Sequence, residues 1–394
     1  MYDFKSIVSR NNTGAIKYDF APEPVRGSGF VPLTIADMEF AVCPEITEAI
    51  KSAADGRIYG YTYEDESYWQ AVRDWMLRRH NWDVKRDWLV TTNGVVPALN
   101  IAVNAFTEPG DGIIIQSPVY PPFWSCIRDW ERHIIENPLI FTENRYEIDF
   151  ADFEAKCADP ANNVRMFILC NPHNPVGRVW TRDELMRLAD ICQKYGVLVV
   201  SDEIHNDLIM PGFTHTVYGT LPNAGSNWVV CTAPSKTFNL AGLASSNIFI
   251  PDENMRKHFA KFNHMGGSGC LPFYARAATT AAYNKGAAWL DELIAVVNDN
   301  FNYLYRFIEE KLPCIKAVRT EGTYLAWLDM RELGLDAEAL ESFVLNKAYL
   351  ALDEGYIFGE NGKGFERWNL AMPHSLLVEA LNRLEAAVKA MQYN

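Results

Sequence analysis

Asn227-Trp-Val-Val-Cys-Thr-Ala-Pro-Ser-Lys-Thr-Phe-Asn-Leu-Ala-Gly242 is an apolar run that stops at a turn carrying a single lysine, Lys236. Upstream, Val197-Leu-Val-Val-Ser-Asp-Glu-Ile-His205 repeats the layout and ends its own apolar run at Asp202. Short stretches that are apolar throughout, rather than alternating, read as strands covered on both faces. Trp88-Leu-Val90, Gly112-Ile-Ile-Ile115, Met166-Phe-Ile-Leu-Cys170 and Asn247-Ile-Phe-Ile250 have the same texture. Helical patterns lie between several of them. Thr181-Arg-Asp-Glu-Leu-Met-Arg-Leu-Ala-Asp-Ile-Cys192 has an acidic first turn and leucines at helical spacing, with Tyr195-Gly196 as its stop. The alternation predicts an α/β fold with a mostly parallel sheet. Such sheets bind ligands beyond the carboxyl ends of their strands. Thr91 to Asn93, Pro118 to Tyr120, Asn171 to Gly177, Asp202 and Lys236 all fall there.

From about residue 288 the texture changes. A long amphipathic stretch runs from Asp291 to Glu309, a strand candidate spans Thr323-Tyr-Leu-Ala-Trp-Leu328, and a helical segment covers Asp336 to Ala351. A chain of 394 residues exceeds what one core usually serves. Three parts are expected: a turn-rich segment 1–45 folded back on the smaller domain, a large domain 46–287, and a small α+β domain 288–394. The net charge of -14 argues against nucleic acid and anionic membranes as partners, while leaving room for a local basic pocket. The amino terminus shows no apolar signal stretch, and no run approaches the roughly 20 residues of a membrane span. The eight cysteines are scattered without a Cys-x-x-Cys pair. They read as buried thiols of a reducing, cytoplasmic compartment, and no metal centre is expected.

The chemistry lies in the strand-end residues. A lone lysine after a strand is ordinarily a surface residue. The alternative for Lys236 is a Schiff base with a carbonyl cofactor, with Ser235 and Thr237 positioning its neighbours. Asp202, in a loop it shares with Glu203 and Asp207, is either a helix cap or the partner of a protonated pyridine nitrogen. Asn174, in Asn171-Pro-His-Asn-Pro-Val-Gly-Arg178, is a turn residue or a donor to a phenolic oxygen, with His205 as structural residue or assistant. Tyr120 or Phe123 could stack on a ring, although core packing explains either. The stretch Asn93-Gly-Val-Val-Pro97 opens a helix whose free N–H groups at Gly94, Val95 and Val96 suit a phosphate. Arg367 is either solvent-exposed or a bidentate clamp on a substrate carboxylate. An amine, a carboxylate and a phosphate cradle together point to pyridoxal 5'-phosphate.

Taken in order, these segments resemble the fold-type I pyridoxal-phosphate enzymes of the class I/II aminotransferase superfamily, and within it the cystathionine β-lyase-like C–S lyases, maltose-regulon modulator included. The matching segments also include Ile35-Ala-Asp-Met-Glu-Phe40, Tyr59-Gly-Tyr61, Glu321-Gly-Thr-Tyr-Leu-Ala-Trp-Leu-Asp329 and Phe365-Glu-Arg-Trp-Asn369. The resemblance implies an aspartate-aminotransferase-like fold, with a seven-stranded sheet in the large domain. It implies Lys236 as the Schiff-base lysine, Asp202 on the pyridine nitrogen, Asn174 on the phenolic oxygen and Tyr120 on the ring. Gly94, Val95 and Val96 would hold the phosphate, helped by Tyr61 of a second subunit in a homodimer with shared active sites, and Arg367 would take the substrate carboxylate. Two positions depart from the aminotransferase pattern. His205 stands where a tyrosine is usual, as in the lyase branch, and Ala244 stands where a phosphate-binding arginine is usual. Thr232, Ser235 and helix dipoles are then expected to hold the phosphate. The implied reaction is β-elimination from L-cystathionine or a related cysteine S-conjugate to a thiol, pyruvate and ammonia. Transamination of L-amino acids is the rival, and a regulatory protein retaining the fold is a third reading. The physiological substrate is not legible.

Overall fold

The computed structural model describes residues 2–21, 29–267 and 269–392. Among them, seven strands build the large sheet: β1 (Leu89–Thr92), β2 (Gly112–Ile115), β3 (His133–Glu136), β4 (Val164–Cys170), β5 (Leu198–Asp202), β6 (Trp228–Thr232) and β7 (Ser246–Phe249). Their spatial order is β1-β7-β6-β5-β4-β2-β3. All pairs from β6 to β3 are parallel, and β7 runs antiparallel between β1 and β6. Six of these strands coincide with the apolar runs. The seventh, β3, escapes that reading because His133-Ile-Ile-Glu136 is an edge strand, polar at both ends and nowhere fully buried.

The central strands are buried on both faces because alternate residues enter different cores. Met166, Ile168, Leu198, Val200, Val229 and Cys231 join one cluster. Phe167, Leu169, Val199 and Val230 join the other, which continues to Trp327 and Trp368. The helices that matter here are α1 (Glu66–His80), α2 (Val95–Phe106), α3 (Arg182–Tyr195), α4 (Pro234–Thr237), α5 (Ala287–Lys311), α6 (Ala337–Asn346) and α7 (His374–Gln392). Thr181 and Glu184 form a capping box on α3, and Gly196 ends it at φ +68°. No helix among the described residues is long and apolar enough to cross a membrane.

A second, antiparallel sheet holds β8 (Lys316–Ala317), β9 (Leu325–Asp329), β10 (Asp353–Glu354) and β11 (Phe365–Asn369), in the order β8-β9-β11-β10. The helix expected from Asp336 to Ala351 is shorter. It stops at Asn346, Tyr349 turns at φ +53°, and Leu350–Ala351 pair in parallel with Val31–Pro32. Burial of Leu350 and Ala351 against that partner outweighs helical continuation, as tertiary pairing commonly does. Further bonds tie the amino-terminal stretch to the same region: Asn369 N–H donates to Leu33 O at 2.8 Å and Glu39 N–H to Ala371 O at 2.9 Å.

Candidate active site

β5 delivers Asp202 and β6 delivers Lys236 to the same edge of the sheet. After β6, Ala233 is extended and Pro234 opens α4, so Lys236 projects from a single helical turn. Its Nζ donates to the Ala36 carbonyl at 2.7 Å, which also accepts from the Tyr324 hydroxyl at 2.8 Å. Burial, with the Arg367 charge nearby, brings the Lys236 ammonium down to about 8, against the pull of Asp37 and Asp202. Asp202 is buried and accepts the Ile204 N–H at 3.1 Å. Burial pushes its carboxyl up to about 7, the Glu203 charge adds to this, and the Ile204 bond and Lys236 pull it back. His205 is buried beside them with its ring edge-on to Tyr324. Burial and the charges of Lys236 and Arg367 hold it well below the usual imidazole range, so it is neutral at pH 7.

Asn174 follows β4, and Arg367 lies on β11. The two meet: Arg367 Nη1 donates to Asn174 Oδ1 at 3.0 Å. This fixes the rotation of the amide and leaves its NH2 as the donor on the other side. Arg367 Nη2 is paired with Asp353 at 2.5 Å, and the guanidinium lies 4.8 Å from the centre of the Phe358 ring. Arg367 is therefore buried rather than solvent-exposed, and its Nε has no partner among the described residues. Phe123 is buried in the core, whereas Tyr120 lines the cleft.

The third wall is a helix N-terminus whose N–H groups suit an anion. Gly94, at φ +116°, stands at the N-cap of α2 without a side-chain cap, so the first N–H groups of that helix lack intrahelical acceptors. Gly94, Val95 and Val96 line one cavity of about 180 Å3 together with Tyr120, Asn174, Asp202, His205, Ser235 and Lys236. Ala244, at φ +49°, and Ser245 complete that wall. Three expected residues lie outside the lining: Thr232, Tyr61 and Arg367, which touches it through its bond to Asn174. The Thr232 hydroxyl turns to β7 and donates to Asn247 O at 3.3 Å. Tyr61 is 94% exposed.

Residue-by-residue reading missed the amino-terminal strap. Ala36 lies in the cavity wall, and its stretch is pinned from several sides. Asn369 Nδ2 donates to the Ile35 and Asp37 carbonyls, Asn239 Nδ2 to those of Met38 and Phe40, and Asp353 accepts from the Thr34 hydroxyl and the Ile35 N–H. The segment has no periodicity, and its only signal was its membership of the matching motif Ile35 to Phe40.

These residues fit pyridoxal 5'-phosphate on their own chemistry. A buried carboxyl that makes no ion pair among the described residues, an amine of lowered pKa and a helix N-terminus without a side-chain cap surround one small cavity. Comparison with known proteins agrees. Residues 28–384 match the family described as aminotransferase class I and II. The cystathionine β-lyase PatB of Bacillus subtilis (strain 168) is 42% identical over 98% of this chain and 100% of its own. Protein MalY of Escherichia coli (strain K12) is 30% identical over the full length of both. The crystal structure of cystalysin from Treponema denticola, which contains a pyridoxal 5'-phosphate cofactor, superimposes with a TM-score of 0.96 at 44% identity, covering 99% of each chain.

Proposed function

We infer the reaction from one premise: this chain belongs to the aminotransferase class I and II family. It is a pyridoxal-phosphate-dependent enzyme with the activity of a carbon–sulfur β-lyase. The observation that carries this reading is a cleft holding Lys236 and Asp202 in a chain 42% identical to a cystathionine β-lyase.

The cofactor, when bound, supplies an aldehyde carbon that takes an amine and a ring that accepts the electron pair of a broken Cα–H bond. Lys236 Nζ would hold that aldehyde carbon and, as a free amine, would remove the Cα proton. A pKa of about 8 leaves part of the amine neutral at physiological pH, as a base requires. Asp202, as a carboxylate, would keep a proton on the ring nitrogen, whose positive charge would lower the Asp202 pKa in turn. The Asn174 NH2 would donate to the phenolic oxygen with neutral His205 assisting, and Tyr120 would stack on the ring. The N–H groups at Gly94, Val95 and Val96, with Ser235, hold the phosphate in place of an arginine. Thr232 supports this wall through β7. Arg367, braced by Asp353, binds the substrate carboxylate and so sets which bond at Cα is broken.

The proposed substrate is L-cystathionine or a related cysteine S-conjugate. The Cβ–S bond breaks, sulfur leaves with the electron pair and gains a proton as a thiol, and addition of water releases the remainder as pyruvate and ammonia. A homodimer fits the surface, where Ile58, Tyr59, Tyr61 and Tyr63 are exposed apolar side chains that a second copy would bury, and the free cysteines fit a reducing, cytoplasmic location. Tyr61 of the partner subunit would then reach the phosphate. The test is purified holoenzyme with L-cystathionine and no keto acid. Thiol and pyruvate should appear in equal amounts. Turnover that requires a keto-acid acceptor and releases no thiol would replace the lyase reading with transamination.

A further inference from the structure

Asp207 lies outside the cavity wall, yet it holds the turn that carries the lysine. It is buried at the end of the loop that starts with Asp202. Its Oδ2 accepts from the Thr237 hydroxyl at 2.9 Å, its Oδ1 from His80 Nε2 at 2.8 Å, and both oxygens from Trp75 Nε1 at 3.1 Å. Thr237 is the residue after Lys236. The next two residues are anchored elsewhere. Phe238 is buried against Trp75, with ring centres 5.4 Å apart, and Asn239 clamps the amino-terminal strap. Room for Phe238 depends on Gly286, where a Cβ would come within 2.4 Å of the ring.

A single helical turn has too few internal hydrogen bonds to hold its own orientation. External anchors must therefore set where Lys236 Nζ points. Among these, the Thr237 bond to Asp207 joins the lysine turn to the loop of Asp202, the residue assigned to the opposite end of the cofactor. We propose that Asp207, acting through Thr237, is a positioning residue that fixes the reach of Lys236 relative to Asp202. The carboxylate is the charged form at neutral pH. Burial pushes its pKa up, but the bonds from His80, Thr237 and Trp75 outweigh that and leave it below the ordinary value. His80 and Asp207 also border a separate cavity of about 270 Å3, so the tether lies between that cavity and the lysine turn. The inference rests on the assignment of Lys236 and Asp202 to one cofactor.

The experiment uses cofactor-loaded protein and three variants: Thr237→Val, which keeps shape and loses the hydroxyl, Thr237→Ser, which keeps the hydroxyl, and Asp207→Asn. Misplacement of the amine by a fraction of an ångström to 1 Å should lower kcat of Thr237→Val by ~10- to 100-fold. Its KM should stay within about threefold, because substrate binding is not the step affected. The pH midpoint of the bound cofactor's visible absorption should also move, a readout that needs no turnover. Thr237→Ser should restore both kcat and the midpoint. Asp207→Asn, if it folds, should reproduce Thr237→Val. The inference is overturned if Thr237→Val keeps the wild-type midpoint and kcat, if its loss follows only cofactor content or melting temperature, or if serine fails to restore it. A wild-type chain that shows no lysine-bound cofactor absorption would instead overturn the assignment of Lys236 itself, which separates the two failures.

Discussion

Lys236→Ala is expected to lower thiol release by on the order of 10,000-fold, because one change removes both the covalent anchor and the base at Cα. The fold should survive. Among the described residues the Lys236 side chain makes one hydrogen bond, to the Ala36 carbonyl, and that carbonyl keeps the Tyr324 hydroxyl as donor. The variant should therefore keep its melting temperature while steady-state pyruvate formation vanishes. A mutant that retains substantial turnover would remove the lysine from the mechanism.

Asp202→Asn should separate function from stability. The amide cannot balance a charged ring nitrogen, and activity should fall on the order of 1,000-fold. The cofactor-free protein should behave in the opposite way. Its Asp202 carboxyl is raised to about 7, mainly by burial, against an ordinary value near 4. Between those two pH values the folded chain holds a proton that the unfolded chain has released, so this group's contribution to stability falls as pH rises through that window. Asparagine lacks that penalty. Cofactor-free Asp202→Asn should be more stable than wild type at pH 8, by on the order of 2 kcal/mol. The difference should disappear below about pH 3, where the wild-type carboxyl is protonated in both states. Denaturation curves at the two pH values check this. Equal stability at pH 8 would mean that Asp202 already has a compensating partner.

Strong local signals explain how much of this molecule was legible in its sequence. The runs that became β1, β2, β4, β5, β6 and β7 are apolar because both faces are covered, and the ends of β5 and β6 place Asp202 and Lys236 on one edge. The cavity also gathers Gly94, Val95, Val96, Tyr120, Asn174, His205 and Ser235. What stayed hidden depends on distant pairing. β3 is an edge strand whose sequence lacks the apolar signature. Leu350–Ala351 left the helical pattern because Val31–Pro32 pairs with them. Ala36 and Asp353 reach the site only because separate parts of the chain converge on Arg367 and Lys236. Their neighbours in sequence carry no pattern that announces it. The orientation of Thr232 toward β7 is likewise a matter of strand facing, which a motif match does not convey.

The most direct measurement is borohydride reduction of the purified holoenzyme followed by peptide mass spectrometry. One pyridoxyl modification per chain is expected, located on the peptide containing Lys236, with loss of the visible absorption band. Modification of a different lysine, or a chain that takes up cofactor without any reducible bond to Lys236, would contradict it.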